Sequence, residues 1–368
     1  MAKPQLISHF MLLMWFCFGS LLPSSNAAVD LFPRNFFVKQ CGDITAVGEQ
    51  PPLTNNSPST ARLDGSFCSD SFAIGPATGW DHTPSEFIAA SGEPNHNGHD
   101  VVATPGDSQS FWIEGKFAYG LIDKDMEDER VEVYLNDEEC NEWRLLTSGR
   151  TNNDGRLTVP CGPPYLPPGP YAIKMVLRGD NSEANYFLRV WPPGTRVVVF
   201  DIDGTLTTSD FELVHDLFNE IYRGDYVPEM QAGAGQVVNT FYDKNYHIIY
   251  LTGRPYWLHQ KTRQWLSNQG LAGGTVRLTD SNSASYPSRT RVGDYKAAFL
   301  QTLLAHGILI DYAYGNATTD IYAYQKVGIP DDCICIIGQH AGEQGTFSIE
   351  SYLEHLEWVE QLEVVAQP

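Results

Sequence analysis

The sequence is short of basic residues. Its 368 residues include 24 lysines and arginines against 45 aspartates and glutamates, a formal net charge of −21. A nucleic-acid-binding protein needs a lysine- and arginine-rich surface to neutralise phosphates, and this composition does not supply one. A polybasic anchor on anionic membranes is disfavoured for the same reason. The charge remains compatible with a cation site built from carboxylates.

Long hydrophobic runs are also missing. After the first 28 residues no stretch reaches the roughly 18 apolar residues of a transmembrane helix, so no span is predicted once that segment is removed. The chain begins with a basic flank at Lys3, a short apolar stretch over residues 10–22 and small residues up to Ala28. This pattern predicts a signal peptide over residues 1–28, with an uncleaved signal anchor as the alternative. We therefore expect a secreted protein, or one in the lumen of the secretory pathway.

Cysteine is scarce, and no pair has the Cys-x-x-Cys spacing of a zinc site. Cys333 and Cys335 alternate in an apolar strand pattern, which predicts two buried thiols. An oxidising compartment would favour disulfides among the cysteines that precede residue 190, but the sequence does not determine their pairing. These cysteines are Cys41, Cys68, Cys140 and Cys161.

The chain changes character along its length. Residues 29–106 are loop-rich and have no recognisable role. Residues 107–193 contain short runs of alternating apolar and polar side chains, separated by turn sequences, which predict a small β-sandwich. These runs cover residues 111–113, 131–135, 171–176 and 186–190. Residues 191–194, Trp-Pro-Pro-Gly, form a stiff boundary after them.

Beyond the boundary, apolar strand-like runs alternate with helical patterns. The strand-like runs cover residues 197–200, 248–251, 308–313 and 333–337, and the helical patterns cover residues 256–269 and 293–306. This order predicts an α/β domain over residues 194–345, with a Rossmann-like parallel sheet and flanking helices. A helical tail is expected over residues 346–368. Ligands of such sheets bind outside the carboxyl ends of the strands.

The first of these strand runs ends in two acids. Residues 201–205 read Asp-Ile-Asp-Gly-Thr, and alternate side chains in an extended segment share a face, so Asp201 and Asp203 are expected in one crevice. Gly204 allows a sharp exit from the sheet. Two acids at a buried strand end need a compensating charge, which Mg²⁺ and a substrate phosphate can supply. Aspartate can also accept a phosphoryl group covalently. A solvated acidic turn is the alternative interpretation.

Residues near later strand ends suit the same chemistry. They are Thr252, Gly253 and Arg254, then Lys296 on a predicted helix, then Asn316 and Asp320. A hydroxyl, backbone amides and a guanidinium suit phosphate oxygens, and an ammonium can neutralise a transferring phosphoryl group. Taken singly, Thr252 could be a helix cap, Lys296 a surface lysine and Asp320 an acid at a helix start. Their order along the chain favours one common site.

This order of motifs resembles the haloacid dehalogenase (HAD) superfamily of aspartyl-phosphate phosphatases. It is most similar to the lipin-type, LNS2-like domain of lipin phosphatidate phosphatases and of retinal-degeneration-B-type phosphatidylinositol transfer proteins. The segments DIDGTLTTSD, YLTGRP and YGNATTDIYAYQKVGIP carry the resemblance, which spans about residues 110–345. It implies a HAD-like fold. The inserts between the motifs hold only about a helix and a strand each, which predicts a minimal cap and an open pocket.

The resemblance also implies roles for the site residues. Asp201 would attack phosphorus, and Asp203 would protonate the leaving alcohol and then activate water. Mg²⁺ would be held by Asp201, the Asp203 carbonyl and Asp320. Thr252, Gly253 and Lys296 would bind the phosphoryl group, with Arg254 and Asn316 in support. The transfer proteins typically lack the first acid, whereas this chain keeps it. Lipins usually carry arginine where Ala317 stands, so substrate contacts made by that arginine are not expected here.

Three functions remain open at this point. The first is a Mg²⁺-dependent phosphatase acting on a phosphomonoester, with phosphatidate or another phospholipid-type phosphomonoester as the leading substrate. The second is a non-catalytic module that binds phosphatidate or a related phospholipid. The third assigns the working role to the β-rich region, as an adhesion or carbohydrate-binding domain. The sequence does not determine the oligomeric state.

Overall fold

The computed structural model describes residues 72–105, 112–120, 124–137, 142–160, 166–208, 215–280 and 289–368. The predicted signal peptide lies outside these residues, as do the cysteines whose pairing the sequence left open, Cys41, Cys68, Cys140 and Cys161. Cys333 and Cys335 are both buried, as predicted.

The first part of the described chain is built mainly of β-strands. Its elements are α1 (Thr83–Ala89), β1 (Asn97–Gly98), β2 (Val101–Ala103), β3 (Trp112–Lys116), β4 (Ala118–Tyr119), β5 (Lys124–Asp125), β6 (Arg130–Asp137), β7 (Arg144–Arg150), β8 (Arg156–Pro160), β9 (Gly169–Leu177) and β10 (Ser182–Val190). The four predicted strand runs correspond to β3, β6, β9 and β10, so these predictions are confirmed.

Two sheets form the predicted β-sandwich. One has the strand order β2-β10-β9-β6-β7, the other the order β1-β3-β8, and β4 pairs separately with β5. Apolar side chains of β3, β6 and β9, among them Ile113, Val133 and Met175, are fully buried in one core cluster. The alternation seen in the sequence therefore reflects strands with one face on this core.

The sandwich begins earlier in the chain than predicted. The predicted boundary at residue 107 falls after β1 and β2, and both of these short strands pair with strands of the sandwich. Their sequences, Asn-Gly and Val-Val-Ala, are too short to show a period of two, which explains why residues 29–106 looked loop-rich.

The second part of the described chain alternates strands and helices. Its strands are β11 (Arg196–Phe200), β12 (His247–Pro255), β13 (Gly274–Thr279), β14 (Leu309–Gly315), β15 (Ile334–Ile337) and β16 (Phe347–Ile349). Its helices are α2 (His215–Arg223), α3 (Ala234–Asp243), α4 (His259–Asn268), α5 (Arg289–Ala305), α6 (Thr318–Lys326) and α7 (Tyr352–Gln361). The helix predicted over residues 256–269 is a 3-10 turn followed by α4, and α5 corresponds to the helix predicted from residue 293.

All six strands of this part form one parallel sheet in the order β13-β12-β11-β14-β15-β16. The β11 residues 197–200 read Val-Val-Val-Phe and are completely buried. A strand buried on both faces needs such a continuous apolar run, so β11 occupies the centre of the sheet. The prediction of an α/β domain with a parallel sheet after a β-sandwich is confirmed at this level.

The predicted helical tail also contributes to the sheet, because β16 pairs with β15 before α7 begins. Gln367, close to the end of the chain, accepts from the Arg196 N–H at 2.9 Å and donates to the Arg196 carbonyl at 3.0 Å. In the described part of the chain, no helix is both long and apolar enough to cross a membrane.

The boundary predicted at residues 191–194 is packed against both parts of the chain. Trp191 is buried in the core of the parallel sheet and stacks on His247 with 4.8 Å between ring centroids. Val102 of β2 belongs to the same core cluster. The sandwich and the parallel sheet therefore share a continuous hydrophobic contact.

Inside the sandwich, His96 is buried and its two ring nitrogens are engaged differently. Nδ1 accepts from the Ala118 backbone N–H at 3.2 Å, so Nε2 carries the ring proton and lies 2.7 Å from the Ser182 hydroxyl. Burial lowers the pKa of His96 to about 4, although the charge of Asp180 opposes this shift. The folded protein therefore keeps this histidine neutral well below pH 6.

The His96 pKa predicts acid sensitivity. Because the unfolded chain binds a proton near pH 6.5 and the folded chain only near pH 4, the free energy of unfolding should fall as pH drops through this window, on the order of 3 kcal/mol from His96 alone. His96→Asn keeps an acceptor for Ala118 but does not titrate. Urea unfolding at pH 7, 6, 5 and 4 should show a flatter pH dependence for the variant. Equal slopes for the two proteins would contradict this assignment.

Candidate active site

The predicted site residues meet at the carboxyl edge of the parallel sheet. Asp201 and Asp203 follow β11, residues 252–254 end β12, and Asn316 follows β14. Lys296 comes from α5 and Asp320 from the first turn of α6. Because parallel strands place their carboxyl ends on the same side, motifs far apart in the chain are brought together there.

One ammonium connects two of the acids. Lys296 Nζ lies 2.7 Å from Asp201 Oδ1 and 2.6 Å from Asp320 Oδ1, and all three side chains are buried. Asp320, which follows Gly315 and Asn316, and Asp201, the first acid after β11, therefore lie at the same edge of the sheet. The alternative interpretation of Lys296 as a surface lysine is wrong.

Asp320 is held by the backbone around the start of α6. Its Oδ2 accepts from the N–H groups of Asn316 and Ala317, each at 3.1 Å. Asp320 is thus the acid of a helix N-terminus and also the partner of Lys296. Gly315 makes room for it, since a Cβ at Gly315 would lie 2.5 Å from the Cβ of Asp320.

Thr205 lies in the site although it was not among the residues predicted from the sequence. Its hydroxyl lies 2.9 Å from Asp201 Oδ2 and 3.0 Å from Asn316 Oδ1, so it can donate to either oxygen. The backbone at Gly204 turns sharply, with φ of 76°, and this turn brings Thr205 back toward Asp201. Its place directly after Asp-Ile-Asp-Gly was the signal that could have identified it.

The second acid has a different cation. Arg254 donates to Asp203 in a two-pronged arrangement, from Nη2 to Oδ1 at 2.7 Å and from Nε to Oδ2 at 2.9 Å. The Thr252 hydroxyl also donates to Asp203 Oδ2, at 3.2 Å. Arg254 has no exposed surface, and its Nη1 donates to the Thr262 hydroxyl of α4 at 3.1 Å.

These contacts differ from the prediction for residues 252–254. We expected the hydroxyl, backbone amides and guanidinium of these residues to face phosphate oxygens, but the three residues continue strand β12, and Arg254 is directed at Asp203. Gly253 lies in the same strand segment and is half-buried. The sequence could not distinguish an Arg254 directed at phosphate from an Arg254 directed at Asp203, because in both cases the arginine comes shortly after the apolar run 248–251.

The electrostatics of the site are dominated by burial. Burial raises the pKa of the Asp201 carboxyl well above its ordinary value, Lys296 opposes this shift, and the charges of Asp320 and Asp203 add to it. A further positive charge near Asp201 would favour its ionised form.

The side chains fit a magnesium ion through two carboxylates. Asp201 and Asp320 converge on one cation, the Lys296 ammonium, and Mg²⁺ typically takes one or two protein carboxylates together with water and substrate oxygens. The Asp203 carboxylate is engaged by Arg254, which is compatible with Asp203 contributing only its carbonyl. Among the described residues, no three acidic, histidine or cysteine side chains are grouped as a metal site.

The comparisons with known proteins agree with this architecture. A family model described as the LNS2 domain of PITM 1-3 matches residues 198–338, and one described as the PITM 1-3 beta-sandwich domain matches residues 94–190. The chain is 32% identical over 269 residues to Protein retinal degeneration B of Drosophila melanogaster, covering 71% of this chain and 20% of that protein.

Two further relatives are transfer proteins. Membrane-associated phosphatidylinositol transfer protein 3 of Mus musculus is 34% identical over 270 residues, covering 71% of this chain and 26% of that protein. The human protein of the same name is 32% identical over 309 residues, covering 82% of this chain and 29% of that protein. The chain thus spans less than a third of the length of each of these relatives.

The similarity to solved structures is weaker. The Pnkp1/Rnl/Hen1 RNA repair complex is 15% identical and covers 37% of this chain and 41% of that chain, with a TM-score of 0.29. This score is too low to indicate a common fold.

The relatives correct the predicted location. We expected a secreted or lumenal protein from the first 28 residues, but the transfer proteins that match this chain are named as membrane-associated. The prediction of secretion is wrong.

The Lys296 contacts generate a stability prediction. Lys296→Met would leave Asp201 and Asp320 buried without the ammonium between them, so the free energy of unfolding should fall by about 3–5 kcal/mol in urea denaturation. Adding Asp320→Asn to this variant should recover part of the loss, because it removes one of the two like charges. Lys326→Met is the matched control. Its ammonium pairs with Asp294 on the protein surface, so we expect little change. A Lys296→Met protein as stable as wild type would contradict the buried ion pair.

Proposed function

Since the chain carries the beta-sandwich and LNS2 domains of the PITM 1-3 family, we propose that it is a Mg²⁺-dependent phosphomonoesterase with a HAD-like α/β domain. It forms a phosphoaspartate on Asp201. The observation that carries this proposal is the buried cluster of Asp201, Lys296 and Asp320 at the carboxyl edge of the sheet. The cluster combines a nucleophile, a cation for phosphate oxygens and a second carboxylate for a metal.

The proposed substrate is a lipid phosphomonoester, with phosphatidate first. Two lines of support lead to it. The relatives are named as phosphatidylinositol transfer proteins, and the motifs resemble those of the lipin phosphatidate phosphatases. Between Asp203 and Thr252 the described residues form α2 and α3, one helix more than predicted, and between Thr252 and Lys296 they form α4 and β13. Inserts of this length do not hold a sizeable cap domain, which favours an open pocket and suits a phosphate presented on a large body such as a lipid surface.

The proposed reaction has two steps. In the first, Asp201 attacks phosphorus, the bond from phosphorus to the alcohol oxygen breaks, and the leaving oxygen takes a proton from Asp203. In the second, Asp203 takes a proton from water as the water oxygen attacks the phosphoaspartate. Inorganic phosphate leaves and Asp201 is regenerated.

Residues around the two acids support these steps. Lys296 neutralises phosphate charge, and Thr205 orients Asp201 through its hydroxyl. Arg254 and Thr252 hold the Asp203 carboxylate in one orientation. Mg²⁺ bound by Asp201, Asp320 and the Asp203 carbonyl would supply additional positive charge at the transferring group. Gly253 and Thr252 are proposed to bind the phosphoryl group together with Lys296, and Asn316 is proposed as a supporting residue.

A second function is favoured by the Arg254 contact. Arg254 donates to both oxygens of Asp203, so this carboxylate acts as a hydrogen-bond acceptor in the structure, whereas a general acid must carry a proton to donate. A module that binds a phospholipid without hydrolysing it needs no such proton. The names of the relatives also refer to transfer and not to hydrolysis.

Phosphate release tests the proposed function. The wild-type chain should release phosphate from phosphatidate in mixed micelles and, more slowly, from p-nitrophenyl phosphate, and EDTA should abolish both activities. Asp201→Asn should be inactive because the covalent acceptor is lost. Asp203→Asn should lose about 10²–10⁴-fold in kcat, the usual contribution of a general acid–base group.

The control is Asp243→Asn, which changes an exposed aspartate at the end of α3 and should retain wild-type activity. Release by Asp201→Asn at the wild-type rate would show that Asp201 is not the nucleophile. No release by the wild-type chain in Mg²⁺ would exclude the phosphatase.

Vesicle binding separates the two functions. If the chain is a phosphatase for phosphatidate, Asp201→Asn should still sediment with phosphatidate vesicles in Mg²⁺ but not with phosphatidylcholine vesicles, because it retains Lys296. Vesicle binding by both proteins, together with no phosphate release by either, would assign the chain to the binding class.

A further inference from the structure

Asp100 is a buried acid that precedes β2 of the sandwich and contacts both parts of the chain. Its carboxylate accepts from the backbone N–H of Phe187 in β10 and of Val276 in β13, each at 2.8 Å. β13 is the last strand of the parallel sheet on that side. One carboxylate therefore satisfies backbone donors on strands of two different sheets.

Two arginines compensate the charge of Asp100. Arg189 Nη1 lies 3.5 Å from one carboxylate oxygen, and Arg263 of α4 forms an ion pair with the other. The guanidinium of Arg263 also lies over the Phe187 ring, 4.8 Å from its centroid. Because all these side chains are buried, the pair between Asp100 and Arg263 anchors α4 to the sandwich.

The residue before Arg263 connects α4 to the site. The Thr262 hydroxyl accepts from Arg254 Nη1 at 3.1 Å, and the Arg254 guanidinium lies 6.0 Å from the ring centroid of Trp265 on the same helix. Arg254 in turn donates to both oxygens of Asp203. The orientation of the Asp203 carboxylate therefore depends on where α4 lies.

A second connection runs through β13. Asp100 binds the backbone of this strand at Val276, and three residues later the Thr279 hydroxyl donates to the Arg254 carbonyl at 3.1 Å. Asp100 is thus linked to Arg254 in two ways. The first link runs through α4 to Thr262, which accepts from the Arg254 side chain. The second runs through β13 to Thr279, which donates to the Arg254 carbonyl. Displacing Asp100 would release both connections.

We propose that Asp100, a residue of the β-sandwich, is a positioning residue for the acid Asp203, acting through α4, β13 and Arg254. The catalytic consequence rests on the proposed phosphatase function, whereas the positioning of Arg254 does not. The sandwich then contributes to the chemistry without touching the substrate.

The experiment measures Arg254 directly. In the full chain labelled with ¹⁵N-arginine, NMR reports the solvent exchange rate of the Arg254 Nε–H, which is assigned from the signal lost in Arg254→Lys. Asp100→Asn should raise this rate by about tenfold or more. It should lower kcat on p-nitrophenyl phosphate by about tenfold or more with KM close to wild type, because misplacing a reacting group costs rate more than binding.

Two sets of variants distinguish a specific effect on the position of Arg254 from a general destabilisation of the fold. Thr262→Val removes the acceptor of Arg254 at nearly constant shape and should reproduce both effects, while Thr262→Ser should restore them to wild type. Asp311→Asn is the matched control. Asp311 accepts from Arg196 Nε at 2.6 Å, and Arg196 begins β11 at the opposite edge of the sheet. This variant should speed exchange at Arg196 and leave Arg254 unchanged.

The outcomes are distinct. Wild-type exchange at Arg254 in Asp100→Asn would overturn the proposal, and so would equal acceleration at Arg254 and Arg196. If Asp100→Asn does not fold, the exchange rate of the Arg254 Nε–H in Thr262→Val and Thr262→Ser decides whether α4 positions Arg254. If the wild-type chain releases no phosphate, the proposed function fails, and the exchange rates alone decide whether Asp100 positions Arg254.

Discussion

Buried carboxylates that need cations determine how the elements of this protein meet. Moving an ionised group from water into a protein interior costs several kcal/mol unless a well-placed partner offsets it. Five buried acids are described, and four of them have a basic partner from another element. The fifth, Glu129, accepts instead from the backbone N–H groups of Asp81 and His82. The pairs are Asp201 and Asp320 with Lys296, Asp203 with Arg254, and Asp100 with Arg263. Together they tie β11 to α5 and α6, β11 to β12, and the sandwich to α4. The hydrophobic core makes the sheet compact, whereas these pairs specify which residues face each other at its carboxyl edge.

Much of this arrangement could be predicted from the sequence, because the strands of a parallel sheet are continuous apolar runs. Residues 197–200 identify β11, and the acids after them had to lie at its carboxyl end. The partner of each acid could not be predicted. Arg254 comes shortly after the apolar run 248–251, where a phosphate ligand is expected, but the direction of its side chain depends on α4, which the local sequence pattern does not reveal. Asp100 lies in a stretch without hydrophobic periodicity, so nothing in the sequence distinguished it from a loop acid. β16 and β2 have three residues each, too few to show a period.

The same pairs constrain the chemistry. In the described residues the two cations of the crevice, Lys296 and Arg254, both contact acids. The site therefore balances most of its own charge, which lets three acids be buried near one another. A phosphate group would bring negative charge to Lys296 and compete with Asp201 and Asp320 for the ammonium. A divalent cation shared by these two acids would release the ammonium for phosphate. Metal and phosphate should therefore favour each other's binding, because each provides a partner for the charge that the other displaces.

The contact between the sandwich and the parallel sheet also bears on the β-rich region as a separate binding domain. Trp191 and Val102 lie in the core of the parallel sheet, and Asp100 satisfies the backbone of β13. A domain with an independent role usually meets its neighbour through a small polar surface. Here the surface contains apolar side chains and a buried charge, and removing the sandwich would leave Arg263 and the Val276 N–H without Asp100. The two family models match these two parts in succession along the chain. The sandwich is best understood as a structural part of the site, since the helix that orients Arg254 is anchored on it.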